Sequence, residues 1–286
     1  MKTLKIFTLI NAATILLSGC IDYPIYDLPY DDYGKIASLM TDWNERGEDI
    51  DIPVHYTAKI GNYVENLAGI DNSIDYLFPV GHYIINIWNS TNHIAISNMV
   101  ATTDYTAGDA GWLFAGRREA LIEKDKEHSF TVFMQQQVRQ LRFELEITDN
   151  AVYRYTGVSA TLSGVAGTLN MDNGTHDVPV VITLTFAENS EDNRWKASTR
   201  LLGMTGNIQT LTLTVHLADA LPASYTFTSD VSRQLASFNE DKKTPLTLVA
   251  RLDGTHNNGE LTANISDWIS EETFEGTADE QVNNNQ

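Results

Sequence analysis

One cysteine, Cys20, stands in 286 residues, so no disulfide framework can staple the fold. Basic residues are also scarce: 19 Lys and Arg face 38 Asp and Glu, for a formal charge of −19. A surface of that sign repels phosphate backbones and excludes nucleic acid as a partner. Beyond Leu17 no run of about eighteen apolar residues occurs, so no later segment reads as a transmembrane helix.

Catalytic signatures are missing too. There is no G-x-S-x-G elbow and no phosphate loop. Ser163-Gly164 could mimic a nucleophile turn but reads better as a loop between strands. The seven histidines (His55, His82, His93, His128, His176, His216 and His256) never pair at H-x-x-x-H or with a cysteine, so zinc has no signature. The segment Asp253 to Glu260 offers oxygen ligands without the D-x-D-x-D-G order of a calcium hand, and a tight turn is the better reading. Among 38 acids any pairing of carboxylates would be arbitrary. The sequence therefore predicts no enzyme, no cofactor and no metal.

The amino terminus is specific. Lys2 and Lys5 precede an apolar run from Ile6 to Leu17, of signal-peptide length. Leu17-Ser18-Gly19-Cys20 follows, an arrangement that resembles the bacterial lipobox. In that motif the thiol is acylated and the chain is cut before the cysteine. Residues 1–19 are thus expected to be a lipoprotein signal peptide and Cys20 the lipidation site. Two or three acyl chains give stable anchoring where one is marginal. Loss of Lys2 and Lys5, with no acid removed, makes the mature charge −21. Residues 20–33 are rich in Asp and Tyr, and Pro24 and Pro29 prevent a helix, so this segment reads as a tether.

From residue 34 onward, apolar residues recur at period two. Ile52, Val54, Tyr56, Ala58 and Ile60 share one face, as do Tyr83, Ile85 and Ile87, and Leu211, Leu213, Val215 and Leu217. Many short strands with turn signals between them indicate an all-β fold of two β-sandwich domains in series. Gln135 to Gln137 mark the expected crossing, with domains at 34–137 and 138–270. One short helix is expected in the second domain. Thr228 or Ser229 would cap it, and Val231, Leu235 and Phe238 form a single stripe. Residues 271–286 are acidic and Asn/Gln-rich, with little to bury, and read as a disordered tail.

The order of features resembles a known family. A lipobox and an aromatic, acidic linker precede two β-rich halves. The second half carries Gly157 to Gly167 (GVSATLSGVAG), Thr185-Phe186, Leu201-Leu202-Gly203, a Leu-Thr-Leu-Thr-Val strand, Ser237-Phe238-Asn239 and a closing Ile265-Ser266-Asp267-Trp268. This is similar to the FimB-like fimbrial anchor and accessory lipoproteins of Bacteroidales, which belong to the type V pilus system. The resemblance implies transthyretin-like sandwiches, a place at the outer membrane and pilin-like partners bound by strand complementation. It also implies that a polymerising subunit would lose its first strand by cleavage after a basic residue, here Lys35 or Arg46. A terminal subunit that keeps its lipid and receives a partner's strand fits this chain better, because Thr273 and Phe274 are the only evident strand formers of its tail.

Two competing readings make different demands. A glycan-binding surface lipoprotein, partner to an outer-membrane transporter, needs neighbouring tryptophans on an exposed face, drawn from Trp43, Trp88, Trp112, Trp195 and Trp268. A surface hydrolase needs a convergent carboxylate or Ser/His cluster in a cleft. The acids near Cys20 favour an outer-membrane lipoprotein facing outward.

Overall fold

Strict alternation of apolar and hydroxyl or charged side chains leaves each segment one face to bury, and strands paired into sheets satisfy the main chain while doing so. The computed structural model describes residues 32–148, 154–189, 194–218, 223–257 and 260–270. In the first half run β1 (Tyr33–Glu45), β2 (His55–Ile60), β3 (Tyr63–Ala68), β4 (Asp71–Asn72), β5 (Leu77–Pro79), β6 (Gly81–Trp88), β7 (Ile94–Ser97), β8 (Val100–Thr103), β9 (Phe114–Ile122) and β10 (Glu127–Gln136). In the second run β11 (Arg139–Ile147), β12 (Arg154–Asn170), β13 (Thr175–Thr185), β14 (Ala187–Asn189), β15 (Arg194–Leu201), β16 (Thr210–Ala218), β17 (Ser224–Asp230), β18 (Leu246–Asn257), β19 (Glu260–Ile265) and β20 (Ile269–Ser270).

Sheet I has the order β3-β2-β6-β9-β10-β1-β4, with β5 also on β1. Sheet II runs β17-β16-β12-β8-β7, with β13 on the other side of β12. Sheet III runs β14-β15-β11-β18-β19, with β20 on β18. The chain is all-β in a sandwich-like arrangement, as its alternation predicts. Each half opens on a strand that pairs in parallel with a later one, β1 with β10 and β11 with β18.

Sheets II and III face each other across one core. Leu141, Phe143 and Leu145 of β11 and Leu248, Ala250 and Leu252 of β18 meet Val158, Ala160 and Leu162 of β12 and Leu211, Leu213 and Val215 of β16. Each fully buried Leu or Val here contributes about 1.5–3 kcal/mol. Phe143 meets the edge of Trp268 at 5.3 Å between centroids. Sheet I encloses a second core, in which Trp43 packs edge-on against Tyr56 (6.2 Å) and Phe114 (5.5 Å). A third, smaller cluster joins the halves: Ala101, Ala110 and Leu113 pack with Val138, Leu169 and Leu202. The hairpin of β7 and β8 belongs to this joint, because β8 pairs with β12 through Thr102 and Thr168.

The expected helix is absent. Residues 232–240 form a succession of turns. Leu235 N–H donates to the Val231 carbonyl, but Phe238 and Glu240 close shorter loops onto Leu235 and Ser237. Val231, Leu235 and Phe238 are buried as the stripe requires. Three apolar positions specify that face, and a chain of tight turns supplies it as well as a helix would. Most of the Asp253–Glu260 segment is strand, since β18 continues to Asn257 and β19 opens at Glu260.

Candidate functional site

Two surface features have the chemistry of recognition: an open sheet edge on sheet II and a cleft at the joint between the halves.

Two rows on the outer face of sheet II carry only hydroxyl side chains over four strands. Thr228, Thr212, Thr161 and Thr183 lie in one row across β17, β16, β12 and β13. Thr226, Thr214, Ser159 and Thr185 form the next. β17 ends this sheet among the described residues. The Leu217 N–H donates to the Ala223 carbonyl and the Val231 N–H to the Gln209 carbonyl, both at 2.9 Å. These bonds fix the phase of the ladder. Tyr225, Phe227 and Ser229 turn their main-chain groups toward β16, and Ser224, Thr226 and Thr228 turn theirs outward. Phe227 and Tyr155 sit half-buried against the core of the sandwich.

Four other edges are guarded. On β13, Val178 holds φ at +56° and the next residue is Pro179, which has no N–H to offer. A β-branched residue in that region is strained, so this edge is kinked as well as interrupted. β7 has four residues, β14 has three, and β3 carries Glu65. The segment from Ser224 to Ser229 has no proline, glycine or charge.

The cleft lies where the 46–50 loop approaches β11 and the 243–245 turn. Its volume is about 640 Å³, and Arg46, Asp49, Trp112, Gln140, Arg142 and Lys243 are among the residues that line it. Arg46 is tied to its own loop, donating to the carbonyls of Ile50 (3.0 Å) and Trp43 (3.2 Å). Lys243 is paired with Glu45 at 2.8 Å. Behind the turn, burial presses the Lys242 ammonium down to about 8 and the His176 imidazole down to about 4, with Lys242 adding to the latter.

The chain matches the model of the fimbrillin-A associated anchor proteins Mfa1 and Mfa2 over residues 27–274. It belongs to this fimbrial anchor family. Two solved structures with TM-scores above 0.5 share the fold. A candidate adhesin from Bacteroides ovatus is 12% identical, with a TM-score of 0.58 over 83% of this chain and 96% of that one. A candidate polysaccharide-binding protein from Bacteroides thetaiotaomicron is 12% identical, with a TM-score of 0.54 over 82% and 98%. The fimbrial anchor protein Mfa2 from Porphyromonas gingivalis is 12% identical, with a TM-score of 0.48 over 81% and 97%. Among curated proteins none matches.

Within this anchor family's fold, the residues singled out from sequence are scattered. Cys20, the tether through Asp31 and the tail from 271 lie outside the described residues. Lys35 is inside β1, paired with Glu127 and Leu77, whereas Arg46 is exposed just after β1. Trp43, Trp195 and Trp268 are buried, and Trp88 and Trp112 are partly so. Among the described residues no two tryptophan rings are in contact, so the aromatic platform of the glycan reading is not formed. Ser163 sits within β12 at a bulge, where Gly164 takes φ +73°, rather than in a loop. Sequence reasoning missed the cleft, whose lining comes from four distant segments. It also missed the edge, although S-Y-T-F-T-S was legible as a run of strand formers.

Proposed function

We propose that this protein is a lipid-anchored, non-enzymatic fimbrial anchor or accessory subunit of the outer membrane. Acyl chains on Cys20 hold it there after residues 1–19 are removed, and residues 20–33 act as the tether. In this reading the chain comprises two sandwich units, 34–137 and 138–270, followed by an acidic tail. The protein faces the cell exterior and receives an extended strand of a pilin-like subunit.

Membership of the anchor family supports the general role. The observation that carries strand reception is the β17 edge. Outward main-chain groups at Ser224, Thr226 and Thr228 are what a partner strand requires, and a half-buried Phe227 offers it an apolar margin. Family resemblance supports the lipid anchor only through the order lipobox, tether and sandwich.

The test is recovery of partners with the lipidated protein from its native membrane, followed by mass spectrometry. Pilin-like subunits are expected with the wild type. Thr226→Pro and Thr228→Pro remove outward N–H groups that β16 does not use, so both should fold and lose the partner. A transporter or glycan in place of pilins would sink the reading. Undiminished pilin recovery with both proline variants would move the receiving groove elsewhere.

A further inference from the structure

The outer face of sheet III is divided by charge. At one end Glu144 and Glu146 are met by Arg194, Lys196 and Arg251 at 2.8–3.9 Å. At the other end, where Gln140 pairs with Arg200 and Arg142 with Ser198, no carboxylate answers the two arginines among the described residues. Arg142 donates to Gln140 Oε1 at 3.1 Å, and Gln140 in turn donates to Ser198 Oγ at 2.8 Å. Arg200 lies over the Trp112 ring, 5.5 Å from its centroid, with its Nε buried and unpartnered. In a chain of formal charge −19, two such arginines at one place are a concentrated exception.

Both belong to the cleft or its wall. Trp112, Gln140 and Arg142 line its about 640 Å³, and Arg200 backs the indole. That volume falls in the range of small-molecule sites, roughly 300–1,000 Å³. We propose that this cleft binds an acidic saccharide, that is, a sugar bearing a carboxylate or sulfate. The exposed Arg142 fork is suited to grip the anion through two parallel N–H bonds. Trp112 offers the apolar surface that a sugar ring packs against. Gln140 and Asp49 supply acceptors for ring hydroxyls, and Gln140 can also donate. The acids Glu48 and Asp49 on the loop side repel a polyanion with charge at every position. They favour a ligand whose single anionic group points toward Arg142 and whose hydroxyls point toward the loop. This inference does not depend on strand reception at β17.

The experiment is calorimetric titration of the full-length protein in detergent with 3′-sialyllactose, which carries one carboxylate, lactose 3′-sulfate, which carries one sulfate, maltotriose and an oligoglutamate peptide. Binding of one or both acidic sugars is expected, weakening as salt is raised, with maltotriose at least tenfold weaker. A carboxylate ligand and a sulfate ligand are told apart by which of the two sugars binds. Arg142→Gln should weaken the acidic sugar at least tenfold. Its position on an exposed strand face should leave the unfolding midpoint unchanged. Trp112→Phe, which keeps the packing, should weaken it less. Failure of both acidic sugars to bind overturns the proposal. So does equal binding of maltotriose, equal binding of oligoglutamate, or indifference to Arg142→Gln.

Discussion

Gln136, at the end of the first half, accepts the main-chain N–H of Gly47 at 2.8 Å. Its amide nitrogen donates to the carbonyls of Val138 (2.8 Å) and Lys242, so one buried side chain holds three separate segments. Gln136→Ala orphans all three main-chain groups at once. Each such buried group costs about 1–3 kcal/mol, and water can reach some of them, so a net loss of about 2–4 kcal/mol is expected. Denaturant unfolding checks this, with Gln135→Ala as the exposed neighbour expected to change stability by less than about 0.5 kcal/mol.

His176 gives the joint a pH dependence. Its ring Nε2 donates to the Leu202 carbonyl (3.2 Å), and burial lowers its pKa to about 4 from 6.5. Between those values the unfolded chain binds the proton and the folded chain does not, so stability falls as pH drops from 6.5 toward 4. The linkage amounts to about 1–3 kcal/mol after allowing for partial exposure. His176→Gln should flatten the slope in that window. An unchanged difference between variant and wild type from pH 7 to pH 4 would contradict this.

Gly203 has no room for a side chain. A Cβ there would stand 2.6 Å from Asn239 Oδ1 and collide with the His176 ring. Asn239 is not free to yield, since it bonds both the N–H (2.8 Å) and the carbonyl (2.9 Å) of Met204. Gly203→Ala is therefore expected to cost about 1–3 kcal/mol, read as a lowered unfolding midpoint.

Limited trypsin digestion should distinguish the two basic sites near the first strand. Lys35 is paired on both sides, and cutting there requires β1 to open. Arg46 is exposed, though its guanidinium is tied to the loop, so slow cleavage after Arg46 is expected before any after Lys35. The fragment should stay bound until denaturation, because β1 buries Ile36, Leu39 and Trp43. Release of the fragment under native gel conditions would show that β1 is held less firmly than this packing implies.

Period two was legible wherever the strand was long. Leu211, Leu213, Val215 and Leu217 are buried and Thr210, Thr212 and Thr214 face outward, as the alternation requires. It overreached at the start of β2. Tyr56, Ala58 and Ile60 are buried, but Ile52 and Val54 are 38% and 69% exposed. Pro53 interrupts the pattern there, and pairing begins only at His55. The stripe of Val231, Leu235 and Phe238 named the correct buried residues and the wrong local structure, because three positions cannot separate a helix from consecutive turns. Non-local pairing left no trace at all. Nothing in Ile94 to Thr103 announces that β8 pairs with β12, and nothing near Trp112 announces Arg142 or Arg200 as neighbours.

The parallel pairing of β1 with β10 also decides how the molecule would bear load. Tension arriving along the chain at Tyr33 pulls β1 lengthwise, against a ladder that runs from Lys35 opposite Glu127 to Glu45 opposite Gln135. Pulled along its axis, such a ladder shears, and its rungs resist together; pulled from one end across the axis, it would peel one rung at a time. Rupture under force is governed by the unfolding rate and not by equilibrium stability. A strand gripped in shear at the point where the chain leaves the domain is the arrangement that keeps that rate low.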